Sequence, residues 1–334
     1  MTVASGYNRR LLTFPSFATE PPSVMPTVIF RVRRCLLALV VAGLAACATH
    51  PTIPVQTPAA PGSAGAPAVF ARAPIVALAL GGGAARGFAH VGVIKALESR
   101  GIVPDIIVGT SAGSVVGALY ASGMNGFDLN KVAMTMDESS VSDWALPTRG
   151  LFRGVALQDF VNRSVGNRPI EALTRRFAAT ATDLRTGELI VFERGNVGQA
   201  VRASSAVPGV FEPVRIGNRE YVDGGLVTPV PVRVARKLGA DVVIAVDIGA
   251  RPEVNDPTGL FSALLQTFAI MGRSIARMEL ADADVVIAPE LGAIGSTDFA
   301  ARNASVLAGE QAALREADRI RALIEKKRHD LAGF

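Results

Sequence analysis

The stretch that decides the fold runs from Ile75 to Gly113: IVALALGGGAARGFAHVGVIKALESRGIVPDIIVGTSAG. Ile75–Leu80 is an apolar run that ends in three glycines, as a strand buried on both faces ends in a tight connection. Residues 87–100 place Phe88, Val91, Ile94 and Leu97 at helical spacing, and Gly101 is a stop signal. Asp105–Val108 reads as a second short strand. Gly109-Thr110-Ser111-Ala112-Gly113 turns directly from it into a small-residue helix, Ala112–Ala121. A strand, a helix and a strand in about 35 residues form a βαβ unit, whose right-handed crossover implies a parallel sheet.

Outward from this unit the alternation continues. Helices are expected at 127–137 and 155–165. Phe177–Thr182 and Glu188–Glu193 flank Leu184-Arg185-Thr186-Gly187 as a hairpin. Pro213–Ile216 and Glu220–Val222 form a second pair around Gly217-Asn218. Then come a helix at Pro229–Leu238, a buried strand at Asp241–Asp247, a helix near 259–278, a strand at Val285–Ala288 and a helix from about 300 to 327. The pattern predicts an α/β fold in three layers, α/β/α, around a mostly parallel central sheet. No repeat and no second core is visible, so residues 74–334 are read as a single domain.

The chain has 334 residues, of which 49% are hydrophobic and 19% charged, enough apolar material for a substantial core. The net charge of +5 is unevenly spread. Arg9, Arg10, Arg31, Arg33 and Arg34 face only Glu20 within residues 1–46, and the remainder is close to neutral. A nucleic-acid-binding body therefore has little electrostatic support. Three His and two Cys argue against a zinc cluster or a disulfide framework.

Gly109–Gly113 fits a G-x-S-x-G elbow, in which a strained turn lifts the Ser111 oxygen clear of the backbone and the helix N-terminus sits beside it. The flanking glycines, Gly109 and Gly113, permit a close strand–helix approach. The loop Gly81-Gly82-Gly83-Ala84-Ala85-Arg86-Gly87 offers several N–H groups to one anionic point, as an oxyanion hole or a phosphate site requires. It fails the dinucleotide spacing G-x-G-x-x-G, and no Walker sequence is present. Of three histidines, His50 lies beside the leader, His329 lies near the C-terminus, and His90 reads as a structural residue. A nucleophilic serine without a histidine points to a carboxylate base, and Asp223, in Tyr221-Val222-Asp223-Gly224-Gly225, is the candidate.

These blocks together resemble the patatin-like phospholipase family. GGGAARGFAHVGVIKALE (81–98), GTSAG (109–113) and DGG (223–225) occur in that family's order. Ala203-Ser204-Ser205-Ala206-Val207-Pro208, followed by Phe211 and Pro213, is similar to its A-S-x-A-x-P stretch. The likeness spans about 75–247. It implies a Ser–Asp dyad that hydrolyses acyl esters of lipids without metal or diffusible cofactor. Ser111 would be the nucleophile and Asp223 the base. Gly81, Gly82 and Gly83 would form the oxyanion hole with Arg86 in support, and Gly224 and Gly225 would shape the turn. Thr228 stands where many bacterial members carry Asn. A non-catalytic lipid- or acyl-binding protein of the same fold is the principal alternative, and a nucleotide-binding protein the weaker one.

At the N-terminus, Arg31-Val-Arg-Arg34 precedes an eleven-residue apolar run, Leu36–Ala46, too short to cross a bilayer as a helix. Leu44-Ala45-Ala46-Cys47 resembles the bacterial lipoprotein lipobox. Residues 1–46 are then a removed signal peptide, with Met25 as an alternative start, and Cys47 carries the acyl anchor. Residues 47–73, rich in Pro, Ala and Gly, form a tether. Ala48 after the cysteine leans toward the outer membrane, facing the periplasm. Expected partners are a lipid or acyl-ester substrate and the membrane. Asp143–Pro147 and Gly150–Phe152 read either as a lipid-touching rim or as a loop packed on the core.

Overall fold

The computed structural model describes residues 72–136, 143, 150–249, 259–292, 294–295 and 297–333. The leader, Cys47, the tether up to residue 71 and Trp144–Pro147 lie outside the described residues. Among the described residues eight strands build one sheet: β1 Val76–Leu80, β2 Ile106–Thr110, β3 Arg176–Asp183, β4 Leu189–Phe192, β5 Val214–Ile216, β6 Arg219–Asp223, β7 Val242–Val246 and β8 Val285–Ile287. Eight α-helices accompany them: α1 Phe88–Ser99, α2 Ala112–Ala121, α3 Gly126–Thr135, α4 Val155–Ser164, α5 Val197–Ser204, α6 Val232–Lys237, α7 Leu260–Leu280 and α8 Arg302–Ala332.

β1 lies at the centre between β2 and β7, and the β3–β2–β1–β7–β8 portion is parallel throughout. The expected three-layer α/β/α architecture is present. β1 shows why: Leu78 and Leu80 face the core shared with α1, α2 and α8, whereas Ala77 and Ala79 face α6 and Ala276 of α7. Period-two alternation of large and small residues thus sorts the two helical layers. α1 is covered on two sides, by the sheet and by α8, which explains why His90, Ala89 and Val93 are as buried as the predicted stripe. Gly92 and Gly309 set that helix contact: a Cβ on Gly309 would stand 2.0 Å from the Ala89 carbonyl oxygen.

The antiparallel side positions the site. β2 pairs with β3 up to Thr110↔Thr180, and β6 pairs with β3 at Ala181↔Asp223 to Asp183↔Tyr221. β4 pairs with Ala179–Thr182, overlapping both registers, so it occupies the opposite edge. β2 and β6 therefore share one edge of β3 and meet there end to end, C-terminus against C-terminus. This junction brings Thr110-Ser111 to Asp223.

Both hairpins form as the sequence predicts. Two elements differ. The helix expected from Pro229 begins only at Val232, because residues 228–230 make loop contacts to the site. α5 was not foreseen. Asn196 caps it by accepting the Gln199 N–H at 2.7 Å, and Asn-x-x-Gln before a short apolar face was its signal.

Candidate active site

Ser111 joins β2 to α2 with φ 53 and ψ −123. A non-glycine residue in the left-handed region is strained, and the surrounding contacts hold it there. Its N–H donates to the Ser204 hydroxyl at 2.9 Å, and its carbonyl accepts the Ser114 hydroxyl at 2.7 Å. Gly109 is in β2 and Gly113 in the first turn of α2. A Cβ on Gly113 would stand 2.2 Å from the Leu80 carbonyl oxygen, so only glycine lets the elbow cross β1. Ser111 is 9% exposed at the end of the buried strand.

Asp223 closes β6 and is buried. Its Oδ1 accepts the Gly225 N–H at 2.7 Å. Gly224 packs so closely on β3 that a Cβ would lie 2.5 Å from the Thr180 carbonyl oxygen. Burial pushes the carboxyl up to about 6, opposed by the adjacent Ser111 hydroxyl and the Gly225 N–H. Among the described residues Oδ2 has no partner in hydrogen-bond geometry. The Ser111 hydroxyl lies near enough to the carboxylate to lower its pKa as a hydrogen-bonding neighbour, in a looser geometry than the Gly225 N–H. A desolvated carboxylate with a free lone pair beside a serine is a competent proton acceptor near neutral pH.

One short segment ties the two residues together. Ser204 holds the Ser111 N–H, and the Ala206 carbonyl accepts the Asp223 N–H at 3.0 Å. The sequence stretch Ala203–Pro208 thereby acquires a physical role.

The glycine loop lies against the elbow: a Cβ on Gly82 would stand 3.2 Å from that of Ser111. Its N–H groups are unequal. Gly81 donates to the Val246 carbonyl and Gly82 to the Pro229 carbonyl, each at 3.0 Å. These two N–H groups are therefore committed to the protein, which corrects the expectation that Gly81 and Gly82 offer theirs to an oxyanion. No protein acceptor is recorded among the described residues for the Gly83 and Ala84 N–H groups. Ala84 has φ 50, another non-glycine in the left-handed region. Arg86 donates its Nε to the Ile294 carbonyl at 2.8 Å and braces the loop against the segment before α8.

His90 is fully buried, with Nε2 at 2.8 Å from the Gly81 carbonyl oxygen. Desolvation lowers its pKa to about 4, so the ring is neutral at pH 7 and Nε2 carries the proton that Gly81 accepts. It supports the loop and makes no recorded contact with Ser111.

Sequence reasoning missed the hub behind these loops. Glu279, buried on α7, accepts the Thr228 hydroxyl and, at 3.1 Å, the Val230 N–H. Burial raises its pKa. From the segment it grips, the Thr228 carbonyl accepts the Thr110 hydroxyl at 2.8 Å, Pro229 accepts Gly82, and the Thr228 N–H returns to the Gly224 carbonyl at 2.8 Å. All three motif loops converge on residues 228–230. The departure at Thr228 was the visible signal, but its partner lies about fifty positions downstream with no local pattern to mark it.

Gly150–Phe152 pack on the body: Phe152 and Phe211 rings are 5.5 Å apart, and the Leu151 N–H donates to the Val210 carbonyl at 2.8 Å. Gly150 is buried and Phe152 half-buried, whereas Leu151 is exposed.

A strand-elbow serine thus has a carboxylate from a second strand end beside it and a glycine loop packed against its turn. A model of the patatin-like phospholipase family matches residues 78–236. The chain belongs to the patatin-like phospholipase family. An uncharacterized NTE family protein of Mycobacterium tuberculosis is 33% identical over 263 residues, covering 71% of this chain and 45% of that protein. Mouse patatin-like phospholipase domain-containing protein 6 is 35% identical over 188 residues, covering 54% of this chain and 14% of its own length. The chain thus spans less than half the length of these curated relatives. The crystal structure of VipD from Legionella pneumophila superimposes with a TM-score of 0.52 at 15% identity, covering 74% of this chain and 67% of that one, a likeness of fold.

Proposed function

We propose that this chain is a lipid acyl hydrolase that cleaves carboxylic ester bonds of phospholipids or lysophospholipids through Ser111 and Asp223. The observation that carries the reading is the pairing of a buried, partly unpartnered Asp223 carboxylate with the strained Ser111. Asp223 takes the hydroxyl proton as Ser111 Oγ attacks the ester carbonyl carbon. The carbonyl oxygen becomes an oxyanion facing the Gly83 and Ala84 N–H groups, with the α2 N-terminus adding its positive end. Collapse of the adduct expels the alcohol, which receives the proton held on Asp223 and leaves an acyl-serine. Water, deprotonated by the same carboxylate, then releases the fatty acid and restores both residues. The leader and Cys47 support a lipid-anchored protein of the cell envelope, at the outer membrane facing the periplasm.

The test is fluorophosphonate labelling together with hydrolysis of a panel of phospholipids, lysolipids and short-chain esters. Wild type should be labelled and active. Folded Ser111→Ala and Asp223→Asn proteins should both lose turnover, since groups that act as a unit fail together. A folded wild-type protein that binds acyl chains but is neither labelled nor active would be a lipid-binding protein instead.

A further inference from the structure

α7 turns an unusual face to solvent. Its exposed positions, 264, 267, 270, 271, 274, 277 and 278, follow helical spacing along one side. Among them Leu264, Ile270, Met271 and Met278 are 39%, 53%, 50% and 56% exposed. The stripe holds no acid, and its one charge is Arg277. From 260 to 272 the helix carries no charged residue at all. α8 provides the contrast within the same chain: its outer face carries the ion pairs Glu316–Arg319, Asp318–Arg321 and Glu325–Arg328.

The rim of the α7 face is cationic. Exposed Lys237 and Arg233 of α6 line a groove of about 170 Å³ together with Leu189, Ile275 and Met278. Arg233 is paired with Asp282, and Arg273 with Asp247; among the described residues Lys237 and Arg277 have no ion-pair partner. Among the described residues no helix is long and apolar enough to cross a membrane. An apolar stripe edged by cations suits the boundary between headgroups and acyl chains, where the helix lies in the plane of the interface. The same helix packs on the 224–226 turn and carries Glu279, which grips Thr228 and Val230. A partner docked on this face would therefore bear on the helix that supports the 224–226 turn and residues 228–230.

We propose that α7 is the bilayer-docking element of the protein, with Leu264, Ile270, Met271 and Met278 entering the acyl boundary and Lys237 and Arg277 meeting anionic headgroups. The choice of a bilayer over another apolar partner rests on the lipid-hydrolase reading above. The experiment keeps the two apart. The full chain carrying Cys47→Ser, to remove any acyl anchor, and Ser111→Ala, to prevent hydrolysis, is sedimented with vesicles of phosphatidylcholine and phosphatidylglycerol. Adding Ile270→Glu and Met271→Glu should weaken vesicle binding roughly tenfold or more, since two apolar contacts are replaced by two charges that the anionic surface repels. With Ser111 intact, the same pair should leave hydrolysis of a soluble short-chain ester and the circular dichroism spectrum unchanged. Vesicle binding that is absent in the parent or unaffected by the pair overturns docking. So does a change from dimer to monomer by analytical ultracentrifugation, which would mark the stripe as a self-association face. If stripe-dependent binding persists while wild type hydrolyses no ester, docking stands and the hydrolase reading fails.

Discussion

Asp223→Asn should make the protein more stable at pH 8 while abolishing its turnover. The native environment raises this carboxyl from 3.8 to about 6. Two units at 1.36 kcal/mol each correspond to about 3 kcal/mol. Between pH 3.8 and about 6 the folded chain retains a proton that the unfolded chain has released. Stability therefore falls as pH rises through that window, and the full penalty is present above the folded pKa. An amide keeps the shape, still accepts the Gly225 N–H through Oδ1, and offers its Nδ2 hydrogens to the Ser111 hydroxyl without burying a charge. The variant should gain about 2–3 kcal/mol at pH 8 and little near pH 4, where the wild-type carboxyl is itself neutral. Urea unfolding followed by circular dichroism at the two pH values measures this. His90, lowered to about 4, destabilises the fold as pH falls from its unfolded value toward 4, but it does so in both proteins and cancels in the difference. A variant no more stable than wild type at pH 8, or one that gains equally at both pH values, would refute the account of Asp223 as a desolvated base. In wild type, the acid limb of kcat/KM should fall near 6, and the low pKa of His90 separates that limb from histidine titration.

Gly309→Ala places a methyl group against the Ala89 carbonyl and should cost about 1–3 kcal/mol by forcing α1 and α8 apart, read as a lower thermal midpoint. Glu279→Gln replaces an acceptor of two hydrogen bonds with an amide that can satisfy only one of them through oxygen. It should lower kcat by roughly tenfold with a smaller change in KM, because the 228–230 segment holds the loops of Gly82, Thr110 and Gly224 in place. Cys47→Ser should move the protein from the membrane to the soluble fraction and end its labelling by radioactive palmitate.

The sheet was legible because its strands are short apolar runs punctuated by glycine, as at Leu80-Gly81 and Val108-Gly109. The proposed pair, Ser111 and Asp223, stood out in the sequence because each is flanked by special backbone, and glycine records that need. The unequal duties of Gly81, Gly82 and Gly83 were not. Three identical residues in a row give no sign of which N–H the sheet will claim, and register decides it. Glu279 was invisible for the opposite reason. A lone acid on an amphipathic helix reads as solvated, and only its seating under residues 228–230 shows that it is buried.

The end-to-end meeting of β2 and β6 has a consequence for how activity is acquired. The strands that lead to Ser111 and Asp223 do not pair with each other; the partner they share is β3. The proposed dyad has no local precursor, since more than a hundred residues separate its halves and β3 must be laid alongside both strands. A nascent or refolding chain can gain its helices, and even its first βαβ unit, while remaining chemically silent. Serine reactivity toward a fluorophosphonate should then emerge late, as a clock for completion of the sheet rather than for collapse.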